Sequence, residues 1–263
     1  MPPFTPPVTA KIVSSLIHVT SYAAATEQIV SWAHRRESRY VCLANTHMLV
    51  EAHDSPVFRE VLANADLACP DGMPVVWMQR ALGFRRASRV RGADLMWSVC
   101  EAAAANGIPI GLYGGRPEVI DTLRSELPRR LPGLDIAFHW SPPFRPLRSD
   151  EDDAIVERLQ RTGVRILFVG LGCPKQERWM AEHRQRIFAV MLGVGAAFDM
   201  HAGVVDQAPI WMRETGLEWA HRLFRDPGRL FRRYARNNPR FAFLALRQLL
   251  VASSFLTGAK RID

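Results

Sequence analysis

Short apolar runs alternate with segments of helical periodicity along most of the chain. Continuous apolar runs predict short buried strands at residues 40–44, 66–69, 108–113, 134–139, 164–169 and 187–192. Apolar positions three and four residues apart predict helices at residues 54–65, 73–82, 92–106, 116–131, 149–161 and 174–186. Strands that are apolar throughout and separated by helices are typical of a sheet covered on both faces. The pattern therefore predicts an α/β fold with a mostly parallel sheet flanked by helices.

The two ends of the chain differ from this central region. Residues 1–10 are rich in proline and predict a disordered leader, so we expect the globular core at residues 11–210. Residues 211–263 predict a helical appendage. Within it, residues 241–256 carry one charge, Arg247, and this apolar run is too short to span a bilayer easily. It suits either a helix in a membrane interface or a helix that packs in a core or an oligomer interface.

The appendage also holds almost all of the excess positive charge. The net charge is +8, of which residues 1–210 contribute +1 and residues 211–263 contribute +7, from 11 Lys and Arg against 4 Asp and Glu. Such a segment favours partners that carry phosphate: nucleic acid, an anionic membrane or a diphosphate ligand. The first residues lack the basic and apolar regions of a signal peptide. With four scattered cysteines that have no zinc-site spacing, we expect a cytoplasmic protein.

Polar and glycine-rich segments follow several of the predicted strands. They are Asn45-Thr46, Gly114-Gly115, Gly170-Leu171-Gly172 and Gly193-Val194-Gly195. In an open parallel sheet, ligands bind just beyond the carboxyl ends of the strands, and the helix starts found there favour anions. A nucleotide diphosphate would fit such a crevice, although glycine turns also serve plain chain reversal. The chain has neither a Gly-x-Gly-x-x-Gly fingerprint nor a Walker A motif, which argues against NAD and against a P-loop nucleotide site.

Two polar motifs at this edge are candidates for chemistry. Asp71 lies in a Pro-Asp-Gly turn, after a predicted strand and before an apolar helix. It is either a helix N-cap or a general base that the apolar helix desolvates. Lys175, Gln176 and Glu177 lie in the first turn of a predicted helix. They either cap that turn or form hydrogen bonds to a sugar or a phosphate.

An acidic run is the candidate for a metal site. Asp150-Glu151-Asp152 matches the Asp-x-Asp pattern with which many nucleotide-sugar enzymes hold a divalent cation. The run follows Ser149 at a predicted helix start, where exposed N–H groups stabilise acidic side chains. One solvated run does not supply the converging oxygen ligands that a hard cation needs. We therefore favour the helix start and expect activity without a metal or another cofactor.

Taken together, the motifs between Asn45 and Tyr234 resemble those of the WecG/TagA/CpsF family of bacterial glycosyltransferases, glycosyltransferase family 26. The matching motifs are, in chain order, Pro70-Asp71-Gly72, Arg89-x-x-Gly92-x-Asp94-Leu95, Gly114-Gly115, Gly170-Leu171-Gly172-x-Pro174-Lys175-Gln176-Glu177, Gly193-Val194-Gly195-x-x-Phe198-Asp199, Ala208-Pro209, Gly216-Leu217-Glu218-Trp219-x-x-Arg222 and Pro227-x-Arg229. The resemblance implies a Rossmann-like fold. It also implies inverting transfer of a sugar from a UDP-sugar to a polyprenyl-diphosphate-linked sugar.

The resemblance implies roles for individual residues as well. Asp71 would be the general base, and Asn45 and Gln176 would line the substrate pocket. Three arginines of the appendage would reach the active site and the membrane, namely Arg222, Arg229 and Arg232. The other candidates for substrate binding are Thr46, Arg89, Gly114, Gly115, Gly172, Lys175, Glu177, Gly195 and Asp199. Leu43 departs from the pattern, since some members have threonine there, so this chain offers no side-chain hydroxyl at that position.

The resemblance narrows the donor and the location further. The tail Arg233-Tyr234-x-x-x-Asn238-Pro239-x-Phe241 is similar to members that build hexose-based exopolysaccharides, which favours UDP-glucose as the donor. UDP-N-acetylmannosamine and UDP-N-acetylmannosaminuronic acid are the alternatives. We expect the protein on the inner face of the cell membrane, with anionic lipid as a partner. The sequence does not decide whether the protein forms a homo-oligomer. The rival interpretation is a non-catalytic protein that binds a nucleotide or a lipid diphosphate. Nucleic acid is disfavoured, because a long apolar run follows the arginines.

Overall fold

A computed structural model describes residues 8–258, apart from the side chains of Arg229 and of residues 253–258. The strands of this region are β1 (Thr9–Ile12), β2 (Ser15–His18), β3 (Arg39–Ala44), β4 (Leu67–Pro70), β5 (Ile110–Gly114), β6 (Ile136–Trp140), β7 (Ile166–Gly170) and β8 (Val190–Gly193). The helices are α1 (Tyr22–His34), α2 (Thr46–Asp54), α3 (Pro56–Ala63), α4 (Met73–Ala81), α5 (Gly92–Asn106), α6 (Pro117–Arg130), α7 (Ser149–Arg161), α8 (Lys175–His183), α9 (Ala197–His201), α10 (Ile210–Glu214), α11 (Glu218–Arg225) and α12 (Pro227–Gly258).

Six of these strands form one sheet in which each neighbouring pair runs parallel. Their order across the sheet is β4-β3-β8-β7-β5-β6. Because the strands are parallel, their carboxyl ends all lie along the same edge of the sheet. The segments that follow β3, β8, β7 and β5 therefore meet at the middle of that edge.

Apolar residues cover both faces of the sheet. In β3, Val41 and Leu43 belong to the core beneath α1, α5, α6 and α9. Tyr40, Cys42 and Ala44 belong to the opposite core, beneath α2, α3, α7, α8 and α12. Burial on both faces explains why the strand shows no alternation of apolar and polar positions. The prediction of a mostly parallel, Rossmann-like sheet flanked by helices is confirmed.

The predicted elements of the central region are largely confirmed, with boundaries that differ by up to three residues. The predicted single helix over residues 54–65 is wrong, because two helices occupy this region. α2 begins at Thr46, in the polar segment that follows the predicted strand at residues 40–44, and α3 begins at Pro56. Ser55 has extended backbone between them, and its side chain accepts a hydrogen bond from the N–H of Phe58 at 3.2 Å. The ring of Pro56 disfavours helical backbone at the residue before it, so the helix ends there and a new one begins.

A hairpin of β1 and β2 precedes the sheet, and the sequence pattern did not predict it. β1 begins at Thr9, so the last two residues of the expected leader are part of a strand, while residues 1–7 lie outside the described residues. The two-residue turn contains Val13 with φ +57°, whereas such turns usually carry Asn or Gly. Because this turn lacks Asn and Gly, the sequence carries no recognisable hairpin motif. The hairpin attaches to β4 through Nδ1 of His18, which accepts a hydrogen bond from the N–H of Ala68 at 2.9 Å.

One face of α12 packs against α2 and the hairpin. Phe241 and Ala245 are 4% and 7% exposed and belong to the core. One turn further along, the Gln248 amide accepts a hydrogen bond from the N–H of Val13 at 2.7 Å and donates one to the C=O of Lys11 at 2.7 Å. The C-terminal helix is therefore tied to the N-terminal hairpin and to α2.

The opposite face of α12 is exposed. Phe243, Leu246 and Leu250, spaced three and four residues apart, are 65%, 58% and 62% exposed. The expected packing in a core therefore holds for one face of this helix, and a membrane-interface role for the exposed face stays a prediction. Within residues 8–258, no helix has the length and apolar character needed to cross a bilayer.

Candidate active site

Asp71 and Asn45 occupy neighbouring positions at the carboxyl edge of the sheet. Asn45 follows β3 and Asp71 follows β4, and the last residues of these strands, Ala44 and Pro70, are paired. The N–H of Asp71 donates to the C=O of Ala44 at 2.9 Å. Asn45 is the N-cap of α2, whereas the N-cap of α4 is Gly72 and not Asp71. The Asp71 carboxylate is therefore not used as a cap.

Charged side chains surround the Asp71 carboxylate. Nη2 of Arg89 lies 3.6 Å from Oδ1 of Asp71 and 2.6 Å from Oε2 of Glu218. The Asp71 side chain is 22% exposed, so it remains accessible from the crevice. Burial raises the pKa of Asp71, and Glu218 acts in the same direction. Arg89, Arg91 and Arg222 oppose them, and the pKa stays above its ordinary value. A raised pKa makes this carboxylate a stronger base than an ordinary aspartate, which suits a general base.

Arg91 is buried behind this cluster and joins three parts of the chain. Its Nε donates to Glu218 at 3.0 Å, and its Nη1 donates to Asp94 at 2.9 Å and to Gln207 at 3.0 Å. The hydroxyl of Tyr22 donates to Asp94 at 3.1 Å and accepts from the N–H of Arg91 at 3.0 Å. These bonds fix the start of α5 to α1 and to the appendage.

The glycine turns after β5 and β7 are explained by close packing. Gly114 has φ +108°, and a Cβ on it would lie 2.7 Å from the backbone of Gly170. A Cβ on Gly170 would lie 2.6 Å from the ring of Phe198. The N–H of Gly115 donates to the C=O of Gly170 at 3.0 Å. A side chain at Gly114 would separate β5 from β7, and one at Gly170 would displace the ring of Phe198. A ligand role for the turns stays a prediction.

Gln176 and Glu177 are buried beneath the glycine turns. Oε1 of Gln176 accepts from the N–H of Gly172 at 3.1 Å, and its Nε2 donates to Oε1 of Glu177 at 2.8 Å. Glu177 is 0% exposed, and the thiol of Cys173 is a further hydrogen-bond partner of its carboxylate. Burial raises the pKa of Glu177 to about 7. The two side chains support the Gly172 turn from below, while Lys175 is exposed at the start of α8.

Gly195, Asp199 and Arg116 complete the glycine-rich part of the edge. A Cβ on Gly195 would lie 3.5 Å from Oε1 of Gln176. Asp199 in α9 lies 3.7 Å from the guanidinium of Arg116, which is 63% exposed at the N-cap of α6. An exposed arginine beside a helix start is suited to a phosphate group. Sequence reasoning had not singled out Arg116, although it follows the Gly114-Gly115 pair directly.

The appendage brings some of the predicted residues to this edge. Arg222 of α11 acts electrostatically on Asp71. Arg232 is exposed on α12, and the side chain of Arg229 lies outside the described residues. The hydroxyl of Thr46 donates to Oδ1 of Asn238 at 3.3 Å, so Thr46 ties α2 to α12. The structure thus forms two groups of predicted residues along one edge. The first group consists of Asp71, Asn45, Arg89 and Arg222, and the second of the glycine turns with Gln176, Glu177 and Asp199. Among the residues that the structure describes, no contact places Arg232 in either group.

The arrangement agrees with a comparison against known families. The model for the family described as "Glycosyl transferase WecG/TagA/CpsF family" matches residues 10–254. The chain belongs to this family. The resemblance seen in the sequence motifs is therefore confirmed. Because the match runs through α11 and most of α12, the appendage is part of the region that defines WecG/TagA/CpsF glycosyltransferases.

Sequence reasoning on this glycosyltransferase singled out Arg89, which lies beside Asp71, but missed the network of side chains that holds Arg89 and Arg91 in place. Glu218 and Asp94 lay inside the recognised motifs without a role, and Arg91 and Gln207 were not singled out. One signal was available for Glu218, because it is one of 4 acidic residues in an appendage with a net charge of +7.

The acidic run lies in the first turn of α7, as the helix-start interpretation predicted. Its three side chains have basic partners: Asp150 with Arg148 at 2.9 Å, Glu151 with Arg145 at 2.6 Å, and Asp152 with His183 at 2.9 Å and Arg186 at 2.8 Å. α7 follows β6, the edge strand farthest from β4. In the part of the chain that the structure describes, no group of three or more His, Cys, Asp or Glu is placed to hold a metal ion.

Proposed function

We propose that this family member transfers a sugar from a UDP-sugar to a polyprenyl-diphosphate-linked sugar, with inversion at the anomeric carbon. The observation that carries the proposal is the position and the raised pKa of the Asp71 carboxyl group. Its carboxylate lies at the carboxyl edge of the sheet, is partly exposed, caps no helix, and has a pKa raised by burial. A group of this kind can take a proton from an acceptor hydroxyl.

The reaction is a single displacement. The acceptor hydroxyl attacks C1 of the donor sugar on the face opposite the UDP, and Asp71 takes the hydroxyl proton as the new C–O bond forms. The bond between C1 and the diphosphate oxygen breaks at the same time, which inverts the anomeric carbon. Because only the ionised carboxylate accepts a proton, we expect the rate to rise as the pH rises through the pKa of Asp71.

The departing UDP requires positive charge and N–H donors. Arg222 acts electrostatically on Asp71, and Arg229 and Arg232 follow on the next helix. Charge-assisted hydrogen bonds from arginine to phosphate are strong, and Arg116 with the start of α6 offers further donors. We propose that these groups stabilise the leaving diphosphate, so that transfer needs no metal or other cofactor.

For the donor we favour UDP-glucose, and for the biological role we favour exopolysaccharide synthesis. The support is the resemblance of residues 233–241 to members that use hexoses. UDP-N-acetylmannosamine and UDP-N-acetylmannosaminuronic acid are the competing donors. Rates with a panel of labelled UDP-sugars and a synthetic lipid-diphosphate acceptor distinguish the three, because the correct donor should give the highest kcat/KM.

We propose that the appendage rests on the anionic inner face of the cell membrane. The exposed side of α12 carries Phe243, Leu246 and Leu250, and Trp219 and Phe224 of α11 are 42% and 87% exposed. Apolar and aromatic side chains next to arginines are typical of helices that bind a membrane interface. Each basic residue near an anionic surface contributes about 1 kcal/mol. This placement would bring the site to a lipid-linked acceptor.

Replacing Asp71 with Asn tests the proposed role directly. We expect single-turnover transfer to fall by about 10²–10⁴-fold, since that is the usual contribution of a general base, while the melting temperature and UDP affinity stay close to those of the wild type. Asp121→Asn makes the same chemical change at an exposed position of α6 and is the matched control. A wild-type rate for Asp71→Asn would refute the role. UDP binding by a wild-type protein that transfers no sugar would support the non-catalytic interpretation.

A further inference from the structure

Glu218 holds two arginines with its two carboxylate oxygens. Oε2 accepts from Nη2 of Arg89 at 2.6 Å, and Oε1 accepts from Nε of Arg91 at 3.0 Å. The side chains of Arg89, Arg91 and Glu218 are 16%, 4% and 10% exposed, so this contact is shielded from solvent. Burial alone would raise the pKa of Glu218, but Arg91 and Arg89 hold it below its ordinary value. Glu218 is therefore ionised at neutral pH.

The same contact sets the position of Arg89 relative to Asp71. Nη2 of Arg89 is 2.6 Å from Glu218 and 3.6 Å from Asp71, so the short ion pair is made with Glu218. A guanidinium in direct contact with Asp71 would stabilise its ionised form and make it a weaker base. Glu218 thus keeps Arg89 near the carboxylate and prevents a close ion pair between them.

The contact also joins the appendage to the sheet. Nη1 of Arg89 donates to the C=O of Arg213 at 3.1 Å, and the guanidinium of Arg213 lies 3.6 Å from Asp94. Glu218 is the first residue of α11, the helix that carries Arg222. Docking of α11 therefore brings both the charge that orders Arg89 and an arginine that acts on Asp71.

We propose that Glu218 is a positioning residue, which holds Arg89 away from Asp71 and so makes the reactivity of Asp71 depend on the docked appendage. This inference rests on the function proposed for Asp71 above. It differs from that function because it concerns a side chain that acts through Arg89 and need not touch a substrate.

The charged and titratable groups that face Asp71 come from four elements. They are Cys69 of β4, Arg89 and Arg91 before α5, Glu218 and Arg222 of α11, and Tyr22 of α1. Loss of the Glu218 charge removes a group that raises the pKa of Asp71, and it frees Arg89 to approach the carboxylate. Both effects lower the pKa of Asp71, so they cannot cancel.

The test is a pH titration of the full-length protein in which carboxyl ¹³C NMR monitors the ionisation of Asp71. The Asp71 resonance is assigned as the one that is absent from the spectrum of Asp71→Asn. In Glu218→Gln we expect the pKa of Asp71 to fall by about 1 unit or more. Glu214→Gln removes the same charge from an exposed position on α10 and should leave the titration unchanged. If Glu218→Gln does not fold, Glu218→Asp replaces it. Its shorter side chain cannot hold both guanidinium groups, and it should shift the pKa in the same direction.

The result separates this inference from the proposed function. An Asp71 pKa that is unchanged or higher in the variant, or a wild-type Asp71 that titrates at its ordinary value, would overturn the role of Glu218 whether or not sugar is transferred. When transfer is measurable, the acidic limb of the pH–rate profile should shift to lower pH by the same amount as the NMR titration. A purely structural Glu218 would lower the rate at every pH without moving that limb.

Discussion

Changing Glu177 to glutamine should remove a pH dependence from the stability of this protein. Glu177 is fully buried under the Gly172 turn, and burial raises its pKa from 4.5 to about 7. Glutamine has the same shape and can still accept the hydrogen bond from Gln176. It carries no charge at any pH, so it avoids the cost of a buried carboxylate.

The size of the effect follows from the two pKa values. Below about pH 4.5 the carboxyl is protonated in both the folded and the unfolded chain. Between that pH and about 7 the folded protein retains a proton that the unfolded chain has released, so the free energy of unfolding falls as the pH rises. Above the folded pKa the loss is complete. At about 1.4 kcal/mol per pKa unit, the total loss is about 3 kcal/mol.

Urea unfolding followed by tryptophan fluorescence, between pH 5 and pH 8, measures this difference. The histidines with lowered pKa values titrate in both proteins and cancel in the comparison; they are His18, His47, His139 and His201. Glu182→Gln changes an exposed residue of the same helix and controls for the loss of one charge. We expect Glu177→Gln to gain stability over the wild type steadily as the pH rises. A difference that stays constant across this range would refute the reasoning.

Three further predictions concern the metal, the membrane and the glycine packing. Excess EDTA should leave the transfer rate unchanged, and a loss that magnesium restores would show that a cation is needed. Phe243→Glu combined with Leu246→Glu should weaken co-sedimentation with anionic vesicles by roughly tenfold or more, since the apolar face carries the interfacial binding. Val57→Glu, at a 68% exposed position on α3, should not weaken it. Gly170→Ala should lower the free energy of unfolding by about 1–3 kcal/mol in urea titrations, because its Cβ would meet Phe198 at 2.6 Å; an unchanged value would show that the ring can move aside.

The appendage also contributes to the stability of the fold. Removing residues 211–263 would take away Phe241 and Ala245 from the core and the Gln248 bonds to the hairpin. A truncated chain would therefore lose stability together with any membrane or catalytic function. Single substitutions on the exposed face of α12 and at Glu218 separate these effects.

The sequence by itself determined the features that depend on neighbouring residues. α5 was predicted at residues 92–106 and lies at Gly92–Asn106, because its apolar period and the left-handed cap at Gly107 are local signals. The buried strands were visible as apolar runs, and parallel strands place their carboxyl ends on one edge wherever they lie in the sheet. Asp71 and the glycine turns could therefore be assigned to one crevice without knowing the strand order.

Only the tertiary structure decided which side chains meet. Glu218 and Arg91 are 127 positions apart, and their ion pair exists because the appendage folds back over the strand edge near β4. Glu177 could have been exposed in the first turn of its helix, but α8 packs so that this turn lies beneath the glycine loops. Local patterns specify that a residue is polar or apolar and which face of an element it occupies. The partner of a buried charge depends on the packing of distant elements, and therefore so do its pKa and its role.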